Sequence, residues 1–348
     1  MDYPKVEVTE GLARLTVPAG GSSRGPGTRS RLPFYNPAMA VNRDLTVLAL
    51  RALGSGRLWD ALTGSGALAA RVGRECPGWT VTATDWNPAA VELARASLAA
   101  NGAAGEVVHH NARKGPPAGT FTHVDIDPFG SPAPFLPAAF AVEGLRTMSV
   151  TATDTGALCG VFPEAALRRY GVRLVRTPCL REIGVRSLLG YCARVAADSS
   201  LAVRPLFATA AEHFLKVVFA VERGEPPPPR YFSLNELGQP MWAAEGYGPV
   251  WGGPLFDATW LRQVSVPPWM PHGTARLLDT MVGEADGPAF YWTTSHLAGK
   301  LRQAPPRLTD MIRRLRERGY GATRTHFDPS GFRTEAGLKA VADIFPGH

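Results

Sequence analysis

Between residues 57 and 155, short apolar runs alternate with stretches of helical spacing, which predicts strands and helices in turn. Residues 58–62 read as a strand that ends in Thr63-Gly64-Ser65-Gly66, and an Ala-rich helix follows over 67–72. A second strand falls at 80–84. Asn87-Pro88 then supplies an N-cap and a proline at the first helical position, Val91, Ala94 and Leu98 line one face, and Gly102 closes the helix. Further strands are expected at 106–109, 123–126 and 147–152, with a helix at 134–142. The pattern predicts an α/β fold of the Rossmann-like kind, a doubly wound and mostly parallel sheet covered on both faces.

The flanks read differently. Val6, Val8, Ala13, Leu15 and Val17 alternate enough for a hairpin over 5–17, and the Gly/Ser/Arg-rich stretch 18–33 reads as a flexible basic loop. Residues 181–197 have helical apolar spacing, and 201–221 can supply one or two more strands. Pro226-Pro227-Pro228-Pro229 continues neither kind of element, so it predicts the boundary between a domain over 1–225 and a smaller α+β domain over 226–348. To about 285 the chain is rich in Gly, Pro and Trp, with a turn at 248–254. A helix pair is expected at 296–301 and 308–318.

With 45% hydrophobic and 19% charged residues over 348 positions, a disordered or fibrous chain is excluded. Lys and Arg number 37 against 30 Asp and Glu, and the surplus is local: residues 300–339 hold ten basic against four acidic side chains. The four cysteines, Cys76, Cys159, Cys179 and Cys192, form no Cys-x-x-Cys pair and read as free thiols in a reducing compartment. No apolar h-region opens the chain and no run of 18 or more apolar residues interrupts it, so a cytoplasmic location without membrane contact is expected. That leaves nucleic acid as the leading polyanionic partner.

A doubly wound sheet binds ligands beyond the carboxyl ends of its strands. After the first strand stand Asp60, Gly64 and Gly66, where small residues let backbone approach a ligand. Asp85 follows the second strand, 25 residues past Asp60, either as an acceptor for ribose hydroxyls or as an acid stabilised by the next helix. Asn111-Ala112 follows the third and is placed to meet an adenine edge. After the fourth comes Asp125-Ile126-Asp127-Pro128-Phe129-Gly130, an Asp-Pro-aromatic turn in register with the other two features. It resembles the catalytic loop of S-adenosylmethionine-dependent enzymes that methylate exocyclic amines. The lone pair of such an amine is delocalised into its ring, so acceptors for its N–H bonds would raise its nucleophilicity and take up developing charge. Proline stiffens the turn, and Phe129 offers a face for a flipped base.

The whole chain resembles the tRNA (guanine(26)-N2)-dimethyltransferase family. The likeness rests on Phe34-Tyr35-Asn36-Pro37 with Asn42-Arg43-Asp44, on 127–132, on Thr151-Ala152-Thr153-Asp154-Thr155 with Leu158-Cys159-Gly160, on Arg168-Arg169-Tyr170-Gly171, and on Arg324-Thr325-His326-Phe327-Asp328-Pro329. It implies a class I methyltransferase domain with a C-terminal tRNA-binding domain, S-adenosylmethionine as cofactor, and tRNA as substrate, with one or two methyls added. By that likeness Arg43, Asp60, Gly64, Gly66, Asp85, Asn111 and Ala112 lie at the cofactor. Asp127, Pro128 and Phe129 form the catalytic turn, and Phe34, Asn36, Arg324 and His326 meet the tRNA. A monomer is expected.

Departures from the family pattern are equally specific. Leu68 stands where an Arg commonly contacts the cofactor, and Asn111 where an Asp is frequent. No cysteine follows Cys192, so the family's frequent zinc knuckle, and any metal, is not expected. These departures motivate one rival, a tRNA-binding protein with impaired catalysis; amine methylation of DNA or of protein glutamine is another. Arg307, Arg313, Arg314, Arg316 and Arg318 cannot share one helix face. They read either as a phosphate-binding surface or as an ordinary solvated one.

Overall fold

A computed structural model describes residues 3–19, 33 and 35–345. The chain opens with an antiparallel hairpin of β1 (Lys5–Glu10) and β2 (Ala13–Pro18), which buries Ala13, Leu15 and Val17. Then come α1 (Ala40–Leu53), β3 (Gly56–Asp60), α2 (Ala67–Glu75), β4 (Trp79–Asp85), α3 (Pro88–Ala100), β5 (Gly105–His109), β6 (His123–Ile126), α4 (Leu136–Phe140) and β7 (Thr147–Ala152). Two short helices, α5 (Thr155–Leu158) and α6 (Pro163–Tyr170), precede the long α7 (Leu180–Ala197). The strands β8 (Leu201–Ala211) and β9 (Phe214–Arg223) follow as a hairpin.

One seven-stranded sheet runs β5-β4-β3-β6-β7-β9-β8, parallel as far as β7 and antiparallel through β9 and β8. After β3 the chain builds outward through β4 and β5, then returns to lay β6 on the other side of β3. The strand order therefore reverses between β3 and β6, the position at which sheets of this kind bind ligands in a crevice beyond the carboxyl ends of the strands. Asp60 and Asp125 are register partners across that reversal.

Helix α1 has no counterpart in the hydrophobic pattern. Residues Asn42 through Leu50 are all buried, so the helix has no polar outer face to set a period. Its charges are spent inside the fold. Arg71 of α2 is fully buried and reaches Asp44 of α1 at 2.5 Å, Glu75 at 2.9 Å and Glu10 of the hairpin at 3.2 Å, binding three early elements together. Asp44 also accepts from Thr274 Oγ1 at 2.6 Å.

The proline run interrupts secondary structure but not packing. Beyond it, β10 (Arg230–Leu234), β11 (Pro240–Ala243) and β12 (Tyr247–Val250) form a small antiparallel sheet, followed by α8 (Ala258–Leu261) and α9 (His272–Glu284). Phe232, Trp251, Leu255, Leu278 and Met281 join the same core as the large sheet. A separate core begins at Trp292. It gathers β13 (Trp292–Thr293), α10 (Thr294–Leu301), α11 (Leu308–Glu317), β14 (Ala322–Arg324), β15 (Gly331–Thr334) and α12 (Leu338–Ile344) around Met311, Leu315, Phe332 and Val341. The expected division near 226 thus marks a change of architecture, whereas the packing divides further on, near 292.

Buried ion pairs bridge the two cores. Arg333 of β15 lies 2.9 Å from Glu182 of α7 and 2.6 Å from Glu284 of α9, and Glu182 in turn holds Arg186 at 2.9 Å.

Candidate active site

The turn after β3 takes a left-handed backbone at two positions, and both are glycine. Gly64 and Gly66 have φ of 55° and 77°, and a side chain at Gly66 would come within 2.6 Å of the Ala94 backbone. Gly64 N donates to Asp85 Oδ2 at 3.0 Å, and Asn87 N donates to Asp85 Oδ1 at 2.8 Å. The ends of β3 and β4 are thereby clamped together. Burial raises the Asp85 carboxyl, while the backbone N–H bonds of Asn87, Gly64 and Trp86 offset part of that rise. Three backbone donors leave part of the carboxylate's acceptor capacity for a ligand hydroxyl. Trp86, next in sequence, is 69% exposed.

Asp60 is hidden at the end of β3 and accepts from Thr63 Oγ1 at 2.6 Å. Burial and the neighbouring charge of Asp125 push its carboxyl up to about 8. Asn111 is exposed and its Oδ1 accepts from Arg113 N at 3.1 Å, capping the short turn that buries Ala112.

The Asp-Pro-aromatic turn follows β6. Thr153, just past β7, locks it from both directions: Gly130 N donates to Thr153 Oγ1 at 2.7 Å and Thr153 N to Gly130 O at 3.0 Å. Pro128 is buried beneath the turn, and Phe129 is 40% exposed above it. Asp127 accepts from Asn42 Nδ2 through Oδ2 at 2.8 Å. Burial and the charge of Asp125 push its carboxyl up to about 6, against the pull of Lys216, Arg43 and Asn42.

Of the remaining expected residues, Arg43 lies near Asp127 but spends its bonds elsewhere. Arg43 grips Glu10 with Nε and Nη2, both at 2.6 Å, and donates to Asn36 O at 3.1 Å, so most of its fork serves the hairpin. Asn36 is buried, and its side chain accepts from Ala38 N at 2.9 Å as a cap. Phe34 lies outside the described residues. Arg324 is exposed on β14 and borders a cleft of about 870 Å³ with Asp279, Arg313 and Arg316. His326 is a correction. Its ring is 1% exposed and its Nδ1 lies against Glu284 Oε1, because the chain after β14 turns inward to Glu284; it presents no surface to RNA.

Three residues near Asp127 were not expected there as site residues: Asn42, Thr151 and Lys216. Lys216 carries a signal in hindsight, a single charge inside the apolar run 214–221.

Fold and site together define a class I methyltransferase-type α/β enzyme, with Asp60 and Asp85 at the strand reversal and an Asp-Pro-Phe turn beside them. Residues 28–228 and 235–346 match the model of the N2,N2-dimethylguanosine tRNA methyltransferase family, and the chain belongs to that family. It is 32% identical to a tRNA (guanine(26)-N(2))-dimethyltransferase of Thermococcus kodakarensis, over 97% of this chain and 98% of that one. Against the protein of the same name from Methanoculleus marisnigri the identity is 35%, over 98% and 99%. Among solved structures, Trm1 of Pyrococcus horikoshii in complex with S-adenosyl-L-methionine superposes with a TM-score of 0.86 at 28% identity, covering 98% of this chain and 99% of that one.

Proposed function

We propose that this chain transfers methyl groups from S-adenosylmethionine to the exocyclic N2 of guanine 26 in tRNA. One observation carries the reading: Asp60, Asp85 and Asp127 stand at the carboxyl ends of β3, β4 and β6, and among the described residues none of them is in an ion pair. The carboxyls of Asp60, Asp85 and Asp127 are all raised, while the nearby cations Lys216 and Arg43 are occupied by Asp125 and Glu10. A cationic cofactor and an amine substrate fit those carboxyls. Asp85 and the Gly64–Gly66 turn would hold the nucleoside part, with Asn111 and Ala112 at its base. Bound there, the cofactor supplies a methyl group already activated on a sulfonium.

The residues of the chain then have defined tasks. Asp127 accepts an N–H of the guanine amine, which localises the nitrogen lone pair, and it takes the proton that the methylated nitrogen must lose. A carboxyl near 6 is largely ionised at neutral pH yet basic enough to receive that proton. Pro128 and the Thr153 bonds keep the turn from yielding, and Phe129 stacks on the base. A second methylation needs only rotation of the monomethyl product and fresh cofactor. The C-terminal domain, with Arg324 at its cleft, grips the tRNA through phosphates. We assign the protein to the cytoplasm as a monomer.

The test is to incubate the protein with an unmodified tRNA transcript and labelled cofactor, then map the product by nuclease digestion and mass spectrometry. The expected label is on N2 of guanine 26, as one or two methyls. Label on another atom or another nucleotide overturns the reading, and absence of cofactor binding at micromolar concentrations would favour a binding protein that has lost catalysis.

A further inference from the structure

Behind Asp127 lies a chain of three buried polar side chains from three different elements. Asn42 of α1 is 2% exposed, and Thr151 of β7 and Lys216 of β9 are fully buried. Thr151 and Lys216 are register partners on adjacent antiparallel strands. Lys216 Nζ donates to Thr151 Oγ1 at 3.2 Å, Thr151 Oγ1 donates to Asn42 Oδ1 at 3.1 Å, and Asn42 Nδ2 donates to Asp127 Oδ2 at 2.8 Å.

The direction of every bond follows from the chemistry of the first. An ammonium has three donors and no acceptor, so Thr151 must turn a lone pair toward Lys216. Its own proton is then free only for the other side, where the Asn42 carbonyl oxygen receives it. That fixes which end of the Asn42 amide is which, and the NH2 group is left facing Asp127. Lys216 is itself held, with Nζ 3.6 Å from Asp125 Oδ1, and Thr46 Oγ1 donates to the same oxygen at 3.2 Å. Bonds aligned head to tail in a dry interior polarise one another.

We propose that Lys216, Thr151 and Asn42 form a one-way hydrogen-bond relay that orients Asp127 and keeps it an anionic acceptor, making these three positioning residues for methyl transfer. The proposal rests on the reading that Asp127 accepts the amine proton. An NH2 donor fixed on Oδ2 leaves Oδ1 as the oxygen that meets the substrate. It also favours the ionised carboxylate over the acid, because the acid form could not accept as well. The opposing influences come from every side: burial and Asp125 of β6 raise the Asp127 carboxyl, Lys216 of β9 and Arg43 of α1 lower it, and Asp127 in turn raises Asp60 of β3. The relay tips that balance toward the anion without placing a cation against the substrate.

The decisive variant is Thr151→Val, which keeps the side-chain shape and removes the hydroxyl. It should lower kcat by about tenfold to a hundredfold, with KM for cofactor and for tRNA unchanged. The acid limb of its pH–kcat profile should move upward by about half a pH unit to one unit. Thr151→Ser should restore both. Asn42→Asp, nearly isosteric, turns the donor facing Oδ2 into an acceptor and should lower kcat further. Cofactor titration of each variant verifies that the fold is retained. Wild-type kcat and pH limb in Thr151→Val, equal impairment of the Ser and Val variants, or a loss confined to KM would each overturn the relay. If instead the wild-type protein places no methyl on guanine N2, the functional reading itself fails, and that outcome is separate from the variant comparison.

Discussion

Two sets of buried or half-buried acids share this chain, and they have opposite electrostatics. Burial alone would raise all of them. For Glu10, Glu182 and Glu284 it is outweighed by basic partners: Arg43 and Arg71 for the first, Arg333 and Arg186 for the second, and His326 with Arg333 for the third, which is held at about 2. For Asp60, Asp85 and Asp127 burial wins, and mutual repulsion adds to it at Asp60 and Asp127. The first set is neutralised within the fold and ties elements to one another. The second set leaves carboxyl groups without an ion-pair partner among the described residues at the carboxyl ends of β3, β4 and β6, where the strand order reverses. Among the described residues each structural acid has an arginine in an ion pair with it, whereas Asp60, Asp85 and Asp127 have none, which leaves the crevice acids available to a ligand.

The largest effect that tests this division belongs at Asp127. Asp127→Ala should cut kcat by about 10²- to 10⁴-fold, the usual range for a positioned proton acceptor, while cofactor affinity stays near wild type. Single-turnover kinetics with saturating cofactor and tRNA measure it. An Asp127→Ala enzyme of wild-type rate would remove Asp127 from the chemistry and leave the difference between the two sets without a catalytic meaning.

Next comes the opposite set. Arg333→Met would strand Glu284 and half of the Glu182 environment, and removing one partner of such a buried network should destabilise the fold by about 3–5 kcal/mol. Denaturant unfolding monitored by tryptophan fluorescence reads it. Below the unfolding transition the variant should still bind cofactor, because Arg333 serves packing between the two cores and not the crevice. A stability change near zero would mean that the Glu182–Arg333–Glu284 cluster does not hold the cores together.

How much of this was legible in the sequence depends on whether a residue's partner is local. The strands β3 to β7 follow from alternation, and Asp85 and Asp127 were findable because a residue just past a parallel strand has one possible location. The hairpin was equally plain from Val6 to Val17. Helix α1 was not, because Asn42, Arg43 and Asp44 satisfy their polar groups inside the fold, and a helix buried on all sides has no amphipathic period. His326 misled for the same reason in reverse. Its partner Glu284 lies 42 residues upstream, and no local pattern connects them. Lys216 and Thr151 are 65 residues apart and meet only through strand register. The basic C-terminal stretch was visible as charge, yet Arg333 within it is buried in ion pairs, so composition overstated the surface available to RNA.

The smallest effect is a pH dependence at Asp60, and its sign separates the two sets of acids most directly. With its carboxyl raised to about 8 from an ordinary 3.8, Asp60 in the cofactor-free protein keeps its proton across most of that interval, while the unfolded chain has already lost it. The folded state therefore binds more protons, and this group's contribution to stability declines as pH rises from about 4 to about 8. A cation entering the crevice reverses the preference, because it favours the ionised carboxylate. Cofactor affinity should then rise with pH up to about 8, with proton release on binding below that point. Calorimetry in buffers of different ionisation heat counts the protons, and Asp60→Asn, which cannot titrate, subtracts the ionisation of the cofactor's own amino group. Glu284 supplies the contrast: held at about 2 against an ordinary 4.5, it contributes stability that is fully present at neutral pH and is lost as pH falls from about 4.5 to about 2. If wild type and Asp60→Asn release the same number of protons, Asp60 is already ionised or already neutralised, and a cationic ligand must be met by Asp85 and Asp127 alone.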